Sequence, residues 1–146
     1  MTITIENEAS EELLTAMNKL IPQLSSSTPQ MDAQTLKAYL EQPGVYLFVA
    51  RSDAEPDQGA IVGMSTLATF RLPTGLRAWV EDVVVDGAAR GQGIGQRLVD
   101  AMVAYGQEIH AKSIDLTSRP SREAANRLYQ RSGFVLRETN VYRYHG

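Results

Sequence analysis

Side chains that can move protons stand out in the second half of this chain. Glu81 and Asp82 interrupt an apolar run at residues 80–85 (Val-Glu-Asp-Val-Val-Val), which has the composition of a buried strand. Tyr129 lies in a later segment whose apolar spacing predicts a helix. A carboxylate can accept a proton and a phenol can donate one. Whether the two side chains act together depends on how the strand and the helix position them.

A glycine-rich segment between these residues predicts an anion site. Residues 90–95 (Arg-Gly-Gln-Gly-Ile-Gly) follow the apolar strand and lead directly into a helix. A helix N-terminus has free N–H groups, and glycines let an anion approach the backbone without Cβ atoms in the way. A pyrophosphate would fit such a loop, and the alternative is a tight strand-to-helix turn without a ligand.

Two common nucleotide patterns are excluded at this loop. Gln96 and Arg97 follow Gly95, so the ATP-binding pattern G-x-x-x-x-G-K-[ST] is absent. A dinucleotide fingerprint that began at Gly91 would need its third glycine at position 96. The loop is therefore expected to hold another kind of phosphate-bearing ligand.

The surrounding pattern predicts an α/β protein with one domain, residues 1–146, and the element order βααβββαβαββ. We expect a mixed, mostly antiparallel central sheet flanked by helices, with Ser10 and Asp32 as the N-caps of the first two helices. The last segment is short, which leaves that edge of the sheet open to a second subunit in a homodimer. After the N-terminal strand, the strands are predicted at residues 45–50, 60–70, 77–85, 113–117, 134–136 and 141–144.

Composition excludes several classes of protein. The 146 residues contain no cysteine, which excludes disulfides, thiolate metal sites and cysteine nucleophiles. The net charge of −3 argues against nucleic acid as the main partner, and no apolar run is long enough to span a membrane. The N-terminus lacks the pattern of a signal peptide. We expect a cytoplasmic protein that needs no metal to fold.

Two motifs resemble those of the GNAT superfamily of N-acetyltransferases. Residues 90–95 match its signature Q/R-x-x-G-x-G/A, and residues 126–134 (Asn-Arg-Leu-Tyr-Gln-Arg-Ser-Gly-Phe) resemble its second motif, N-x-L-Y-x-x-x-G-F. The preceding strand, residues 80–85, resembles the family's fourth strand. Its Glu-Asp pair is similar to that of the glucosamine-6-phosphate acetyltransferase branch. The specific motifs cover Val80 to Phe134, and the element order resembles the family over the whole chain.

The resemblance implies an acetyl-CoA site and no metal. In the family the glycine loop holds the coenzyme A pyrophosphate through backbone N–H groups. The fourth strand splays from the fifth, and the pantetheine arm pairs with its exposed backbone. Carried over to this sequence, the pyrophosphate residues are Arg90, Gly91, Gln92, Gly93, Ile94, Gly95 and Gln96, and the pantetheine residues are Val83, Val84, Val85 and Asn126.

The same resemblance implies how the amine would react. An alkyl ammonium has a pKa near ~10.4, so it must lose a proton before it attacks the thioester. Glu81 matches a carboxylate that accepts this proton directly or through water, and Tyr129 matches a tyrosine that donates to the thiolate. The oxyanion is expected at a backbone N–H of Val83 or Val84. Asp82 should point to the opposite face of the strand, unless a bulge intervenes.

The function implied is transfer of an acetyl group from acetyl-CoA to a primary amine, with a small-molecule acceptor preferred. Alternatives are a sensing protein that binds acyl-CoA without turnover, an acetyltransferase for a protein amine, and a longer acyl donor. Glu81 could also be a solvated strand residue, and Tyr129 a core residue. A phosphorylated acceptor would need a basic clamp, for which the candidates are Arg71, Arg77, Arg119 and Arg122.

Overall fold

A computed structural model describes all residues, 1–146, and contains one five-stranded mixed sheet. The strands lie in chain order, with three antiparallel pairs followed by a parallel pair between β4 and β5. This confirms the predicted α/β class and the mostly antiparallel sheet. The strands are β1 (Thr2–Glu6), β2 (Val45–Arg51), β3 (Ile61–Leu72), β4 (Gly75–Val85) and β5 (Ser113–Asp115).

Four helices cover the two faces of the sheet: α1 (Glu11–Leu24), α2 (Ala33–Leu40), α3 (Ile94–Glu108) and α4 (Glu123–Arg131). The predicted N-caps are confirmed, because Ser10 accepts from Leu13 N at 3.1 Å and Asp32 accepts from Thr35 N at 2.7 Å. One apolar cluster joins α1 and α2 to the sheet, and a second joins α3 and α4 to the other face. None of the four helices has the length and hydropathy of a membrane span.

A bulge in β4 changes which residues share a face. Thr66 pairs with Glu81 and Met64 pairs with Val84, so two residues of β4 stand opposite one residue of β3. Asp82, inside the bulge, has a φ of +51°, which is unusual for a residue other than glycine. The bulge therefore breaks the simple alternation expected for Asp82 and sets Glu81 and Val84 on the same face, towards α1 and α2.

β4 and β5 pair over only three residues and then separate. The parallel ladder runs from Arg77 opposite Ser113 to Trp79 opposite Asp115. β5 therefore ends at Asp115, two residues before the predicted end of the strand. Beyond Trp79, the edge of β4 that faces β5 has no strand partner. This separation confirms the splay that the family resemblance implied.

The two predicted C-terminal strands are wrong for the single chain. Residues 134–146 form no helix or strand, and several large apolar side chains there face solvent. Leu136 is 94% exposed and Tyr144 is 92% exposed. The alternating sequence has strand composition, but a strand needs a neighbour for its backbone groups, and no strand of the same chain pairs with this segment. The predicted element order therefore holds as far as α4.

Candidate active site

The separation of β4 from β5 opens a cleft of about 180 Å³. Its polar side chains come from three elements: β4 supplies the two acids, the residues after β5 supply a threonine, and α4 with its N-cap supplies an arginine and a tyrosine. The lining residues are Leu24, Val80, Glu81, Asp82, Val83, Leu116, Thr117, Arg122 and Tyr129. The structure thus brings together both predicted catalytic residues and the first of the three valines.

Glu81 has the surroundings of a proton acceptor. Partial burial in the cleft raises the pKa of its carboxyl group, and the nearby charge of Asp82 raises it further. The side chain takes part in none of the ion pairs of the structure. A carboxylate with a raised pKa and no cation partner is a stronger base than an ordinary glutamate.

Two residues not singled out as a pair by the sequence support the strand beside Glu81. Tyr39 on α2 and Thr66 on β3 share a hydrogen bond of 2.5 Å between their hydroxyl oxygens. Thr66 is the direct cross-strand partner of Glu81. The bond therefore ties α2 to the strand position next to the candidate base. A tyrosine in a helix and a threonine in a strand are both common, so the sequence alone does not indicate their hydrogen bond. Only the strand register shows that Thr66 lies opposite Glu81.

Tyr129 is held firmly inside the second apolar cluster. Its side chain is 9% exposed, and its ring packs edge-on against Phe134 with 6.2 Å between the centroids. Burial raises the pKa of the Tyr129 hydroxyl, whereas the neighbouring Arg122 guanidinium lowers it. Tyr129 lines the same cleft as Glu81. A carboxylate from β4 and a phenol from α4 therefore border one small space.

The glycine loop has the open backbone that an anion site requires. Gly91 and Gly93 have φ values of +85° and +75°, and a Cβ atom added at either would meet nothing within 4 Å. Gly93 is the N-cap of α3 and provides no side-chain cap. The backbone N–H groups of Ile94, Gly95 and Gln96 have no intramolecular acceptor. The uncapped helix end therefore fits the pyrophosphate of a coenzyme A molecule.

The flanking residues of the loop anchor it to the core. Ile94 is 3% exposed and packs in the second apolar cluster. A Cβ atom at Gly95 would lie 3.0 Å from Leu128 Cδ1, so a glycine here lets α3 approach α4 closely. The Gln96 side chain donates to Asp100 and Ser132 and accepts from Arg131. Only its backbone N–H remains free for a ligand.

The remaining predicted coenzyme residues differ in how close they come to the cleft. Val84 is buried against α1 and α2, whereas Val83 and Val85 pack on the α3 side of the sheet. The backbone edge of β4 at these three residues has no partner in β5. Arg90 and Gln92 are exposed beside the glycines. Asn126 does not line the cleft, because its Nδ2 donates to Arg119 O at 3.0 Å and the residue borders a separate, wider groove.

Arg122 was named from the sequence only as one of four possible phosphate clamps. The structure places it at the N-cap of α4, on the wall of the cleft with Glu81 and Tyr129. A signal was available, since Arg122 precedes Tyr129 by seven residues and two helical turns return a side chain to the same face. The spacing extends one position beyond the helix itself, to the N-cap, so it is not visible in the helical residues alone.

Comparison with known proteins supports one family. The sequence model of the acetyltransferase (GNAT) family matches residues 11–134. A glucosamine 6-phosphate N-acetyltransferase 1 of Oryza sativa subsp. japonica is 31% identical over 127 residues, which are 84% of this chain and 73% of that protein.

Solved structures share the fold at low sequence identity. A putative acetyltransferase from Agrobacterium tumefaciens str. C58 superposes with a TM-score of 0.81 at 24% identity, covering 99% of this chain and 100% of that one. An aminoglycoside N-acetyltransferase in complex with CoA gives a TM-score of 0.78 at 18% identity, covering 99% and 93%. The chain therefore belongs to the acetyltransferase (GNAT) family, whose members use acetyl-CoA, and it is an acetyltransferase.

Proposed function

We propose that this enzyme transfers the acetyl group of acetyl-CoA to the primary amine of a small molecule, with Glu81 as base and Tyr129 as acid. The observation that carries the proposal is that both side chains line one cleft of about 180 Å³ at the free edge of β4. Burial and Asp82 raise the pKa of Glu81, which makes its carboxylate a stronger base, and burial raises the pKa of Tyr129, which keeps its hydroxyl protonated until the sulfur leaves.

Residues 90–96 are proposed to hold the pyrophosphate of the co-substrate. The free N–H groups of Ile94, Gly95 and Gln96 point out of an uncapped helix end, whose dipole favours an anion. Val83, Val84 and Val85 would offer their unpaired backbone edge to the pantetheine arm, as an added strand does. Asn126 is also proposed to contact the pantetheine arm. Its Nδ2 donates to Arg119 O in the structure, so this hydrogen bond would have to break when the arm binds.

The reaction then balances as follows. Glu81 takes a proton from the attacking amine, whose nitrogen forms a bond to the thioester carbonyl carbon. A backbone N–H at Val83 or Val84 would stabilise the oxyanion. The C–S bond breaks, and the sulfur takes the proton of the Tyr129 hydroxyl as it leaves. The acceptor arrives as an ammonium, so its nitrogen loses two protons: one passes from Glu81 to solvent, and the other reaches the Tyr129 phenolate through solvent. The products are the acetamide and the free thiol.

An amino sugar is the acceptor class that we propose. The rice relative carries the name of a glucosamine 6-phosphate N-acetyltransferase, and the structural neighbour that of an aminoglycoside N-acetyltransferase. The acceptors in these two names are both amines on sugar rings. The two acids Glu81 and Asp82 at the cleft would attract such a cationic acceptor before it loses its proton.

The test is free-thiol release from acetyl-CoA with a panel of glucosamine, glucosamine 6-phosphate, an aminoglycoside, a linear alkyl diamine and a lysine-containing peptide. The proposal expects turnover with at least one amino sugar, and kcat at least a hundredfold lower in Glu81→Gln and Tyr129→Phe. Glu8→Gln, an exposed substitution on the N-terminal loop, is the matched control. Turnover confined to the peptide would overturn the small-molecule acceptor, and full activity of both variants would overturn the two assigned roles.

We also propose that the enzyme is a homodimer joined by its C-terminal segment, residues 134–146. A groove of about 840 Å³ lies beside β5, between Trp79, Ile114 and the segment itself. Leu116, Thr117 and Tyr129 line both this groove and the cleft, so whatever fills the groove also closes one side of the cleft. The segment exposes apolar side chains and pairs with no strand of its own chain, which suits a strand from a second copy.

Light scattering on a sizing column tests the dimer. The intact chain should have twice the mass of one 16.1 kDa copy. Leu136→Asp should shift it to the single mass, because a charge would enter an apolar contact, and Glu138→Gln should leave it dimeric. A monomeric intact chain at micromolar concentration would overturn the proposal.

A further inference from the structure

We propose that Arg122 is a positioning residue for Tyr129 that makes the Tyr129 hydroxyl a stronger proton donor to the leaving sulfur. The inference rests on the acid role proposed for Tyr129 and adds a residue that the sequence motifs do not assign to it. Three observations support it: the placement of Arg122 on α4, its lack of a carboxylate partner, and the burial of the phenol that it adjoins.

The backbone fixes the point from which the Arg122 side chain leaves. Arg122 N donates to Arg119 O at 3.0 Å, and Arg122 O accepts from Asn126 N at 3.0 Å. The residue is the N-cap of α4, and its side chain makes no capping bond. Tyr129 follows two helical turns later on the same helix face, and both residues line the cleft of about 180 Å³. The Arg122 side chain and the Tyr129 side chain therefore border the same small space.

The charge of Arg122 is available for this purpose. The ion pairs of the structure involve the N-terminus, Lys19, Lys37 and Arg51, and Arg122 takes part in none. Burial has the largest effect on the Tyr129 hydroxyl and raises its pKa, whereas the positive charge of Arg122 lowers that pKa. The charge favours the phenolate, because a nearby cation stabilises a negative oxygen.

The acidity of the leaving thiol explains why a lower pKa of the Tyr129 hydroxyl would help the reaction. An ordinary thiol has a pKa near ~8.5 and an ordinary phenol a pKa near ~10, so a phenol already donates uphill to a thiolate. Burial makes the Tyr129 hydroxyl a still weaker acid. A guanidinium beside it brings the two acidities closer, which is the condition under which general acid catalysis is most efficient. Without Arg122, the same burial that fixes the ring would slow the proton transfer.

Arg122 could instead bind an anionic group of the acceptor or the coenzyme. Such a role predicts a different experimental pattern: higher KM values, with no change in the acidity of Tyr129. The exposed position of Arg122 permits either role, but the cleft that it lines also contains the buried Tyr129. The experiment below separates the two, and only the first result supports the inference.

The direct test is an NMR titration of enzyme labelled with [13Cζ]tyrosine, free of substrates, with Tyr129→Phe used to assign the Tyr129 signal. In Arg122→Met the signal should titrate at higher pH than in the wild type, and in Arg122→Lys between the two. Arg127→Met is the matched control, since Arg127 is an exposed arginine of the same helix outside the cleft, and it should leave the signal unchanged. Circular dichroism at each pH confirms that the fold persists.

A double-mutant cycle on kcat, with substitutions at Arg122 and Tyr129, tests the same inference independently of the titration. Arg122→Met should lower kcat about tenfold and raise the pH of its alkaline limb, yet change kcat less than twofold when Tyr129 is already phenylalanine. Equal losses in both backgrounds, an unchanged Tyr129 titration, or a rise in KM alone would overturn the inference. A Tyr129→Phe enzyme with wild-type kcat would instead overturn the proposed acid role, while the titration would still report on the Arg122 contact.

Discussion

The glycine loop at residues 90–96 and the C-terminal segment at residues 134–146 are both irregular in structure, for opposite reasons. The loop is anchored by the buried Ile94 and by the close contact of Gly95 with Leu128, and its N–H groups are left free at a fixed helix end. The segment exposes Leu136 and Tyr144 and has no strand beside it. The loop therefore suits the small anion that we propose for it, and the C-terminal segment suits the second copy of the chain that we propose as its partner.

The cleft has two corresponding sides: one is built by elements of a single chain (the finished side), and the other borders the C-terminal segment (the unfinished side). On the finished side, β4, α3 and α4 of one chain carry the proposed base, the proposed acid and the proposed anion site. On the other side, Leu116 and Thr117 border the wide groove that continues under the C-terminal segment. We expect the first side to depend on backbone geometry within one copy and the second on association between copies.

The largest effect on acetyl-CoA binding is expected from Gly93→Ala. A Cβ atom at a φ of +75° strains the backbone and projects into the open space where the pyrophosphate would lie. Affinity for acetyl-CoA should fall about a hundredfold, or roughly 2.7 kcal/mol, by titration calorimetry. Gly59→Ala is the matched control, with a φ of +86°, open space around it and a place on a distant hairpin.

Both alanine variants should lose about 1 kcal/mol of unfolding free energy, because an alanine in left-handed backbone costs that amount wherever it lies. Only Gly93→Ala should lose the ligand. Equal acetyl-CoA affinity in the two variants would show that the loop is a plain turn, and the account of the finished side would fail.

A smaller effect is expected from removing residues 135–146. The truncated enzyme should become monomeric and lose about tenfold in kcat/KM, since the groove beside Tyr129 would open to water and weaken electrostatic interactions in the cleft. Its affinity for acetyl-CoA should stay within a factor of about three, because the glycine loop is complete in one chain. A truncated enzyme with full kcat/KM would show that the cleft does not depend on the segment.

The smallest effect is expected from Gln96→Ala. Its side chain bonds to Asp100, Ser132 and Arg131, whereas the proposed ligand contact is its backbone N–H, which the substitution retains. We expect a loss of about 1 kcal/mol in unfolding free energy and less than a threefold change in acetyl-CoA affinity. A loss of affinity as large as that of Gly93→Ala would mean that the side chain, not the backbone, holds the anion.

The elements that form the finished side could be predicted from the sequence, because the relevant signals are local. The N-caps, the strand before residue 86 and the glycines at the helix start are each read from a few adjacent residues. The bulge at Asp82 could not be read in this way. A positive φ at an aspartate is imposed by the pairing of β4 with β3, and that pairing involves residues about fifteen positions earlier in the chain.

The C-terminal segment shows a second limit of the same reasoning. The apolar and aromatic residues at 134–136 and 141–144 do indicate a capacity to form strands, but they carry no information about which chain supplies the neighbouring strand. Arg122 shows a third limit, since its relation to Tyr129 follows from helix periodicity that extends to the N-cap. In each case the missing information was the partner of a residue, not the residue itself.

The most direct test of the central claim is the pH dependence of kcat for wild type and Glu81→Gln, measured by thiol release with the best acceptor of the panel. Burial and Asp82 raise the pKa of Glu81, and the base must be ionised to act, so wild-type kcat should fall with decreasing pH at values above the ordinary glutamate pKa of ~4.3. In Glu81→Gln, kcat should be at least a hundredfold lower and this acidic limb should be absent. An unchanged limb in the variant, or an undiminished kcat, would contradict the assignment of the base at the free edge of β4.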